Sequence, residues 1–298
     1  LSRSPSEARP GACASCKTQL VSGDIKALTD FAYVLELDEM RNGTILACQS
    51  LAKTDLTVRV TTLDDGQAVI PARTIAGEYT GMRELTRDIV EVTITLDDAL
   101  TYYAGQYANL QVEGVGGSRS YSFANASVAD GSTTLTFHIR VIPGGEMSAW
   151  FAKPNNIGRS IGVDGPYGVF RLRQAETPML CIAGGSGMAP IKAMLEYGAA
   201  ESITQPVVYL YGARTQADLY DVEITAALAN AWAASFRFIP VLSDEPEDSN
   251  WSGAPGLVTD YIKTVADFEL AGAQAYLCGP PPLIDAAIPI LTAVDVRG

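Results

Sequence analysis

The hydrophobic rhythm of the chain changes near residue 178. Before that point, short runs alternate apolar and polar positions with a period of two, most clearly at 89–96 (IVEVTITL) and 133–141 (TTLTFHIRV). A period of two puts every second side chain on one face, as in half-buried strands. With Gly and Asp clusters between the runs, the pattern predicts a small antiparallel barrel over residues 68–174. After residue 178, apolar residues come in short continuous runs at 179–183, 207–211, 236–242 and 275–278. Stretches of helical spacing follow them at 190–197, about 217–232, 258–268 and 283–294. Strands buried on both faces and alternating with helices predict a parallel sheet with crossovers over residues 177–298. A third block, residues 1–62, closes on a β-like segment at 56–60, and the polar stretch 61–66 reads as a linker. No repeat of 20–50 residues is visible.

Composition narrows the function classes. With 298 residues, 47% apolar and 18% charged, the chain has the make-up of two or three globular domains. Its 21 Lys and Arg against 34 Asp and Glu give a charge of -13, which repels phosphate backbones and anionic lipid. Nucleic acid and membranes are therefore not expected partners. No apolar run reaches the ~18 residues that span a bilayer. One histidine, His138, excludes a His-rich metal site. Five cysteines, an odd number, with no signal-like leader do not resemble a disulfide scaffold. The expectation is a cytoplasmic, monomeric protein whose true start is missing, since residue 1 is Leu.

Four segments carry chemistry. Gly184, Gly185, Ser186 and Gly187 follow a buried strand and open a helix at Met-Ala-Pro190. Glycines let backbone approach a diphosphate, and the helix start offers free N–H groups; a tight turn without ligand remains an alternative. The run departs from the usual dinucleotide fingerprint because Pro190 stands where its third glycine belongs. Cys278, Gly279 and Pro280 end another strand at the carboxyl edge of the sheet, where ligands of open α/β sheets bind. Arg119, Ser120, Tyr121 and Ser122 end a barrel strand and offer a guanidinium fork, an aromatic face and a small hydroxyl donor. Gly145, Met147 and Ser148 lie in a glycine turn entering a helix. Standing alone, Cys278 also suits a buried cysteine acting as a small apolar residue, and the last two segments an ordinary strand end and a plain loop.

Taken in order, RSYS at 119–122, Gly145-x-x-Ser148, GPYG at 165–168, GGSGMAP at 184–190 and CGPP at 278–281 resemble the ferredoxin–NADP reductase superfamily. The likeness implies a flavin-binding barrel and a nucleotide-binding α/β domain. It places Arg119 at the flavin diphosphate, with Ser120 in the same strand, Tyr121 against the ring and Ser122 near N5. Ile139, Arg140, Val141, Met147 and Ser148 line the rest of the flavin site in that likeness, and Ser122 and Cys278 are the expected catalytic residues. In the first block, Cys13, Cys16 and Cys48 resemble a plant-type [2Fe–2S] ferredoxin, giving a partial β-grasp domain. A zinc knuckle or a redox dithiol is the alternative, although zinc wants a fourth ligand and no histidine is at hand. The first ligand of the motif falls at position 8, which is Ala. The chain as written is therefore expected to bind FAD but hold little or no stable cluster, whereas its parent protein holds one.

The order ferredoxin, flavin domain, nucleotide domain resembles the reductase components of bacterial ring-hydroxylating dioxygenases and multicomponent monooxygenases. That likeness implies FAD, hydride transfer from a nicotinamide, single-electron release through the iron–sulfur centre, and an oxygenase as partner. Only Arg214 is available for a 2′-phosphate, and Asp218 stands four residues on, ready to accept ribose hydroxyls; NADH is expected over NADPH. A non-catalytic redox-sensing subunit of the same superfamily is the alternative from another class, and a ligand-free structural module a third.

Overall fold

The computed structural model describes residues 16–59, 68–173, 175–264 and 270–296. Cys13, Ala8 and the linker expected at 61–66 lie outside them. The chain divides into two compact units, residues 1–69 and 70–298.

In the first unit, β1 (Lys17–Ser22), β2 (Ile25–Ala27), α1 (Leu37–Arg41), β3 (Thr44–Leu46), β4 (Ser50–Ala52) and β5 (Thr57–Arg59) follow in order. β1 is central in an antiparallel sheet β3-β1-β5, and β2 pairs with β4. Its small core holds Leu35, Ile45 and Leu46. Glu39 closes the start of α1 on the Glu36 N–H at 2.9 Å and also takes Lys17 at 2.8 Å, tying helix to sheet.

The second unit begins with β6 (Arg73–Glu84), β7 (Ile89–Leu100), β8 (Tyr107–Val112), β9 (Arg119–Ser122), β10 (Ser132–Arg140), α2 (Glu146–Phe151) and β11 (Ser160–Tyr167). They form one antiparallel sheet, β10-β7-β6-β11-β8-β9, whose two edges meet in a bridge between Phe123 and Phe137, closing the barrel. The period-two pattern is visible in β7: Val90, Val92, Ile94 and Leu96 point into the core. β7 runs past the alternating stretch to Leu100, which pairs with Ser132 of β10 across an irregularity in the ladder.

Next come β12 (Met179–Gly184), α3 (Met188–Ala200), β13 (Val207–Ala213), α4 (Val222–Ala231), β14 (Phe236–Leu242), β15 (Ala254–Pro255), β16 (Gln274–Cys278) and α5 (Pro281–Thr292). The five strands are parallel in the order β15-β14-β13-β12-β16. Continuous apolar runs have their reason here. Met179, Cys181 and Ala183 feed the layer against α3, whereas Leu180 and Ile182 feed the layer against α5. The chain moves outward from β12 to β15 and then returns to the far side of β12 as β16. That reversal leaves a crevice at the carboxyl ends of β12 and β16.

Three helices differ from their sequence expectation. The stretch 217–232 is helical only from Val222, because Asp221 takes a left-handed φ of 51° and residues 216–218 make a separate 3-10 turn. At 258–268 a 3-10 turn spans Val258–Tyr261, and residues 265–269 are outside the described set. α5 starts at Pro281, since prolines suit a first turn whose N–H groups are unused.

Candidate functional site

At the reversal lies a cavity of about 660 Å³, lined by barrel and parallel-sheet residues of the second unit. Of the residues singled out from sequence, Ser120, Tyr121, Ser122 and Arg140 line it from the barrel. Gly184, Gly185, Ser186, Gly187, Arg214, Asp218, Cys278, Gly279 and Pro280 line it from the sheet. Residues more than a hundred positions apart thus share one crevice because β9 and the ends of β12 and β16 face it together.

The glycine turn fits an anionic dinucleotide. Gly185 takes φ 54°, and a Cβ there would meet nothing within 4 Å, so the backbone is open. No side chain caps the start of α3, and the Met188 N–H turns back to the Gly185 and Ser186 carbonyls; a helix start without a side-chain cap suits an anion. Gly187 serves a different end. Its Cβ would stand 2.1 Å from the Cys278 carbonyl oxygen, so glycine is needed for the turn to touch the end of β16. Burial pushes the Cys278 thiol up to about 11, which keeps it neutral at ordinary pH and makes it a soft apolar wall rather than a nucleophile.

On the barrel side, Tyr121 meets Phe151 edge-on at 6.0 Å, and burial pushes its phenol up to about 12. Ser120 donates to Asn109 at 2.7 Å, and Ser122 pairs with Tyr107 across the β8–β9 ladder. Arg119 is exposed. It donates to its neighbour's carbonyl at Ser118 and forms no ion pair among the described residues. Arg83, Arg87, Arg140 and Arg214 each sit on a carboxylate. An unneutralised guanidinium beside an aromatic face suits a flavin diphosphate.

The remaining expected flavin residues do not line the cavity. Ile139 and Met147 are in the barrel core and Val141 packs against it. Ser148 accepts from the Ile142 N–H and donates to the Gly145 carbonyl, both at 3.1 Å, so its hydroxyl holds the 142–148 turn. Asp218, expected to meet the ribose, accepts from the N–H and hydroxyl of Thr215 and pairs with Arg87 at 3.2 Å. Sequence reasoning missed Asp88, which pairs with Arg140 at 3.1 Å and with Arg214 at 3.9 Å. It also missed His138 as a cavity residue. Neither carries a local signal: one is an acid before a strand, the other a polar position within one.

In the first unit, Cys16 and Cys48, 32 positions apart, bring their Sγ atoms to 3.1 Å, and Ala47 donates to the Cys16 carbonyl at 3.0 Å. Two of the three thiols expected at the cluster thus stand side by side. Cys13 is not among the described residues.

Segments suited to flavin, nicotinamide and iron–sulfur groups in one chain point to an electron-transferring oxidoreductase. Comparison with known proteins agrees: residues 5–53 match the 2Fe-2S iron-sulfur cluster binding domain, 79–172 the oxidoreductase FAD-binding domain, and 181–288 the oxidoreductase NAD-binding domain. The chain is 39% identical to the xylene/toluene monooxygenase electron transfer component of Pseudomonas putida, over 95% of this chain and 79% of that one. It is 34% identical to the phenol 2-monooxygenase reductase component of Pseudomonas sp. strain CF600, over 94% and 79%. Among solved structures it resembles an Amycolatopsis cytochrome P450 reductase, with TM-score 0.79 and 33% identity over 95% of this chain and 84% of that one. It also resembles the ferredoxin reductase of carbazole 1,9a-dioxygenase, with TM-score 0.72 and 28% identity over 97% and 84%. The chain belongs to the family of reductase components that carry electrons for monooxygenases and dioxygenases, within the ferredoxin–NADP reductase superfamily. It is an NAD(P)H-dependent oxidoreductase of the FAD and [2Fe–2S] type. No helix among the described residues is long and apolar enough to cross a membrane.

Proposed function

We propose that this chain takes reducing equivalents from NADH in preference to NADPH and delivers them to a separate oxygenase protein of the kind that hydroxylates hydrocarbons. The charge balance of the cavity carries the coenzyme reading. Asp88 and Asp218 stand against Arg140 and Arg214 in its lining, and Arg214 lies 3.9 Å from both carboxylates. A 2′-phosphate brings two further negative charges and finds no excess cation to meet them; a ribose hydroxyl needs none.

When bound, FAD supplies the exchange between a two-electron donor and one-electron carriers, and the cluster supplies a one-electron carrier. Arg119 holds the flavin diphosphate, Tyr121 packs against the ring, and Ser122 offers a hydroxyl donor beside it. The turn at Gly185–Gly187 and the uncapped start of α3 hold the coenzyme diphosphate, and Cys278 presents a neutral thiol to the reacting rings. No side chain is needed to move a proton in that exchange. The oxygenase reading is supported by the relatives' names: the similar proteins serve xylene/toluene, phenol and propane monooxygenases.

The test is steady-state oxidation of each coenzyme with an artificial acceptor by the FAD-loaded protein. A higher kcat/KM with NADH is expected. Equal or reversed values would refute the coenzyme assignment, and flavin binding without turnover would refute the reductase assignment.

A further inference from the structure

Of the lysines and arginines among the described residues, only Lys192 is buried. It stands in the first half of α3 and is the one charged side chain among that helix's buried residues. Its ammonium leaves the parallel-sheet half and reaches the barrel. Nζ donates to the carbonyl oxygen of Ala124, just beyond β9, at 3.0 Å. Glu196, one turn further along α3, takes the same ammonium on Oε1 at 2.7 Å. Its Oε2 accepts from the Ala126 N–H at 3.2 Å. The helix thus grips the barrel by two backbone groups, the Ala124 carbonyl and the Ala126 N–H.

What lies on either side gives this contact its meaning. Tyr121 and Ser122, which line the cavity from the barrel, immediately precede Phe123 and Ala124. Gly187, where the glycine turn passes into α3, lies about one helical turn before Lys192. The barrel end of the link is itself well held. The Ala124 N–H donates to Thr136 of β10 at 2.8 Å, Tyr102 stacks on Phe123 at 3.8 Å, and the Tyr102 hydroxyl donates to the Asn125 carbonyl at 3.0 Å. Barrel and sheet are also joined by ion pairs, but at other strands. Arg83 of β6 meets Asp221 ahead of α4 at 2.9 Å, and Arg87 meets Asp218 at 3.2 Å. Glu91 of β7, held down at about 2 by its contact with His138 and by Arg83, completes the first of these groups. None of these residues belongs to β9 or to the segment that follows it.

A buried ammonium is costly unless charge and hydrogen bonds answer it. Methionine has a similar length and would fill the space without that cost, but apolar packing is indifferent to direction. The ammonium adds distance and aim: its bond holds only between about 2.7 and 3.2 Å, and breaking it strands both a cation and a carbonyl away from water. We propose that Lys192 is a positioning residue for hydride transfer: steadied by Glu196, it fixes the flavin strand against the coenzyme helix and so sets the spacing of the two rings. The proposal rests on the reading of Tyr121 and Ser122 as flavin residues and of Gly185–Gly187 as the coenzyme turn. Reacting atoms must come within about 3–3.5 Å, and an error of about 1 Å costs up to about 10²-fold in rate. Neither Lys192 nor Glu196 lines the cavity, so the grip acts on the geometry of transfer and not on the binding of either cofactor.

Rapid mixing of FAD-loaded protein with NADH separates binding from transfer. K192M should lower the limiting rate of flavin reduction at saturating NADH about ten- to a hundred-fold. It should also weaken the long-wavelength absorbance of reduced flavin stacked on NAD⁺, while Kd for FAD and for NADH stays within about two-fold of wild type. E196Q keeps an oxygen for Ala126 but removes the charge beside the ammonium, and should slow reduction in the same way by a smaller factor. Y102F loosens the same segment from inside the barrel; it should lower Tm without slowing reduction. Folded K192M that reduces its flavin at the wild-type rate would overturn the proposal, as would Y102F as slow as K192M. A K192M protein that merely loses FAD and recovers full speed when flavin is resupplied would overturn it too. If K192M does not fold, E196Q decides, and an unchanged rate and absorbance count against the link. Wild-type protein that binds FAD and NADH but never passes the hydride refutes the functional reading and this proposal with it. Transfer equally fast in wild type and variants refutes the link alone.

Discussion

Replacing Gly187 by Ala adds one methyl group at the closest approach in the nucleotide half of the molecule. Its Cβ would stand 2.1 Å from the Cys278 oxygen, 2.5 Å from the Cys278 carbonyl carbon and 2.8 Å from the Gly279 nitrogen. All three are backbone atoms, so no rotamer change relieves the overlap. Ordinary contact begins at 3.4 Å, and turn and strand end must part by more than an ångström. Ala183 pairs with Cys278 in the β12–β16 ladder, so the separation strains the centre of the sheet. Overpacking costs about 1–3 kcal/mol where neighbours give way, and a backbone collision belongs at or above the top of that range. For a unit of this size ~3 kcal/mol lowers Tm by roughly 6–12 °C. Displacing a coenzyme-holding turn by about 1 Å should also cut kcat/KM for NADH about 10²-fold. Gly185→Ala is the control. Its Cβ meets nothing within 4 Å, and its φ of 54° alone should cost about 1–2 kcal/mol. Thermal unfolding and steady-state NADH oxidation read both variants, with FAD occupancy expected to stay near wild type. A Gly187→Ala protein with unchanged Tm and KM would refute the close approach.

Arg119→Ala should weaken FAD by about 1–3 kcal/mol, measured as Kd on reconstituting flavin-free protein, with turnover restored by excess FAD; unchanged occupancy on dilution counts against the assignment. Asp88→Asn releases Arg140 and Arg214 from a shared carboxylate. It should raise the NADPH to NADH ratio of kcat/KM by about two- to five-fold, a modest gain because both arginines are half exposed. Acid stability should depend on Glu91, whose folded value of about 2 lies below the ordinary 4.5. Its contribution is complete above the unfolded value and is lost as pH falls from 4.5 toward 2, amounting to about 3 kcal/mol. Glu91→Gln should therefore lower stability at pH 7 and flatten the acid limb of a denaturation series. Parallel acid limbs for the two proteins would contradict the pairing.

Much of the fold was legible along the chain because its causes are local. A continuous apolar run such as 179–183 has no exposed face to offer, so it predicts a strand covered on both sides, as β12 is. Glycines after that strand and prolines at 280–282 act through their own backbone limits, and the turn and the start of α5 follow directly. The alternation at 89–96 and 133–141 likewise names the inward faces of β7 and β10. Taken together in order, the motifs carried a family resemblance, and that resemblance implied the flavin, nucleotide and iron–sulfur segments.

Tertiary structure alone decided how charges are spent. Asp218 reads as a ribose acceptor until Thr215 and Arg87 occupy its oxygens. The helix expected from 217 starts only at Val222, and Arg83, 138 positions earlier, holds the left-handed Asp221 ahead of it. Arg119 has no carboxylate beside it among the described residues, unlike Arg83, Arg87, Arg140 and Arg214, and His138 becomes part of a buried ion group only when β6, β7, β10 and the start of α4 converge. The physical reason is range. Backbone preference and hydrophobic period act over a few residues, whereas a desolvated charge must be answered by whichever partner the fold brings to it, from any distance along the chain.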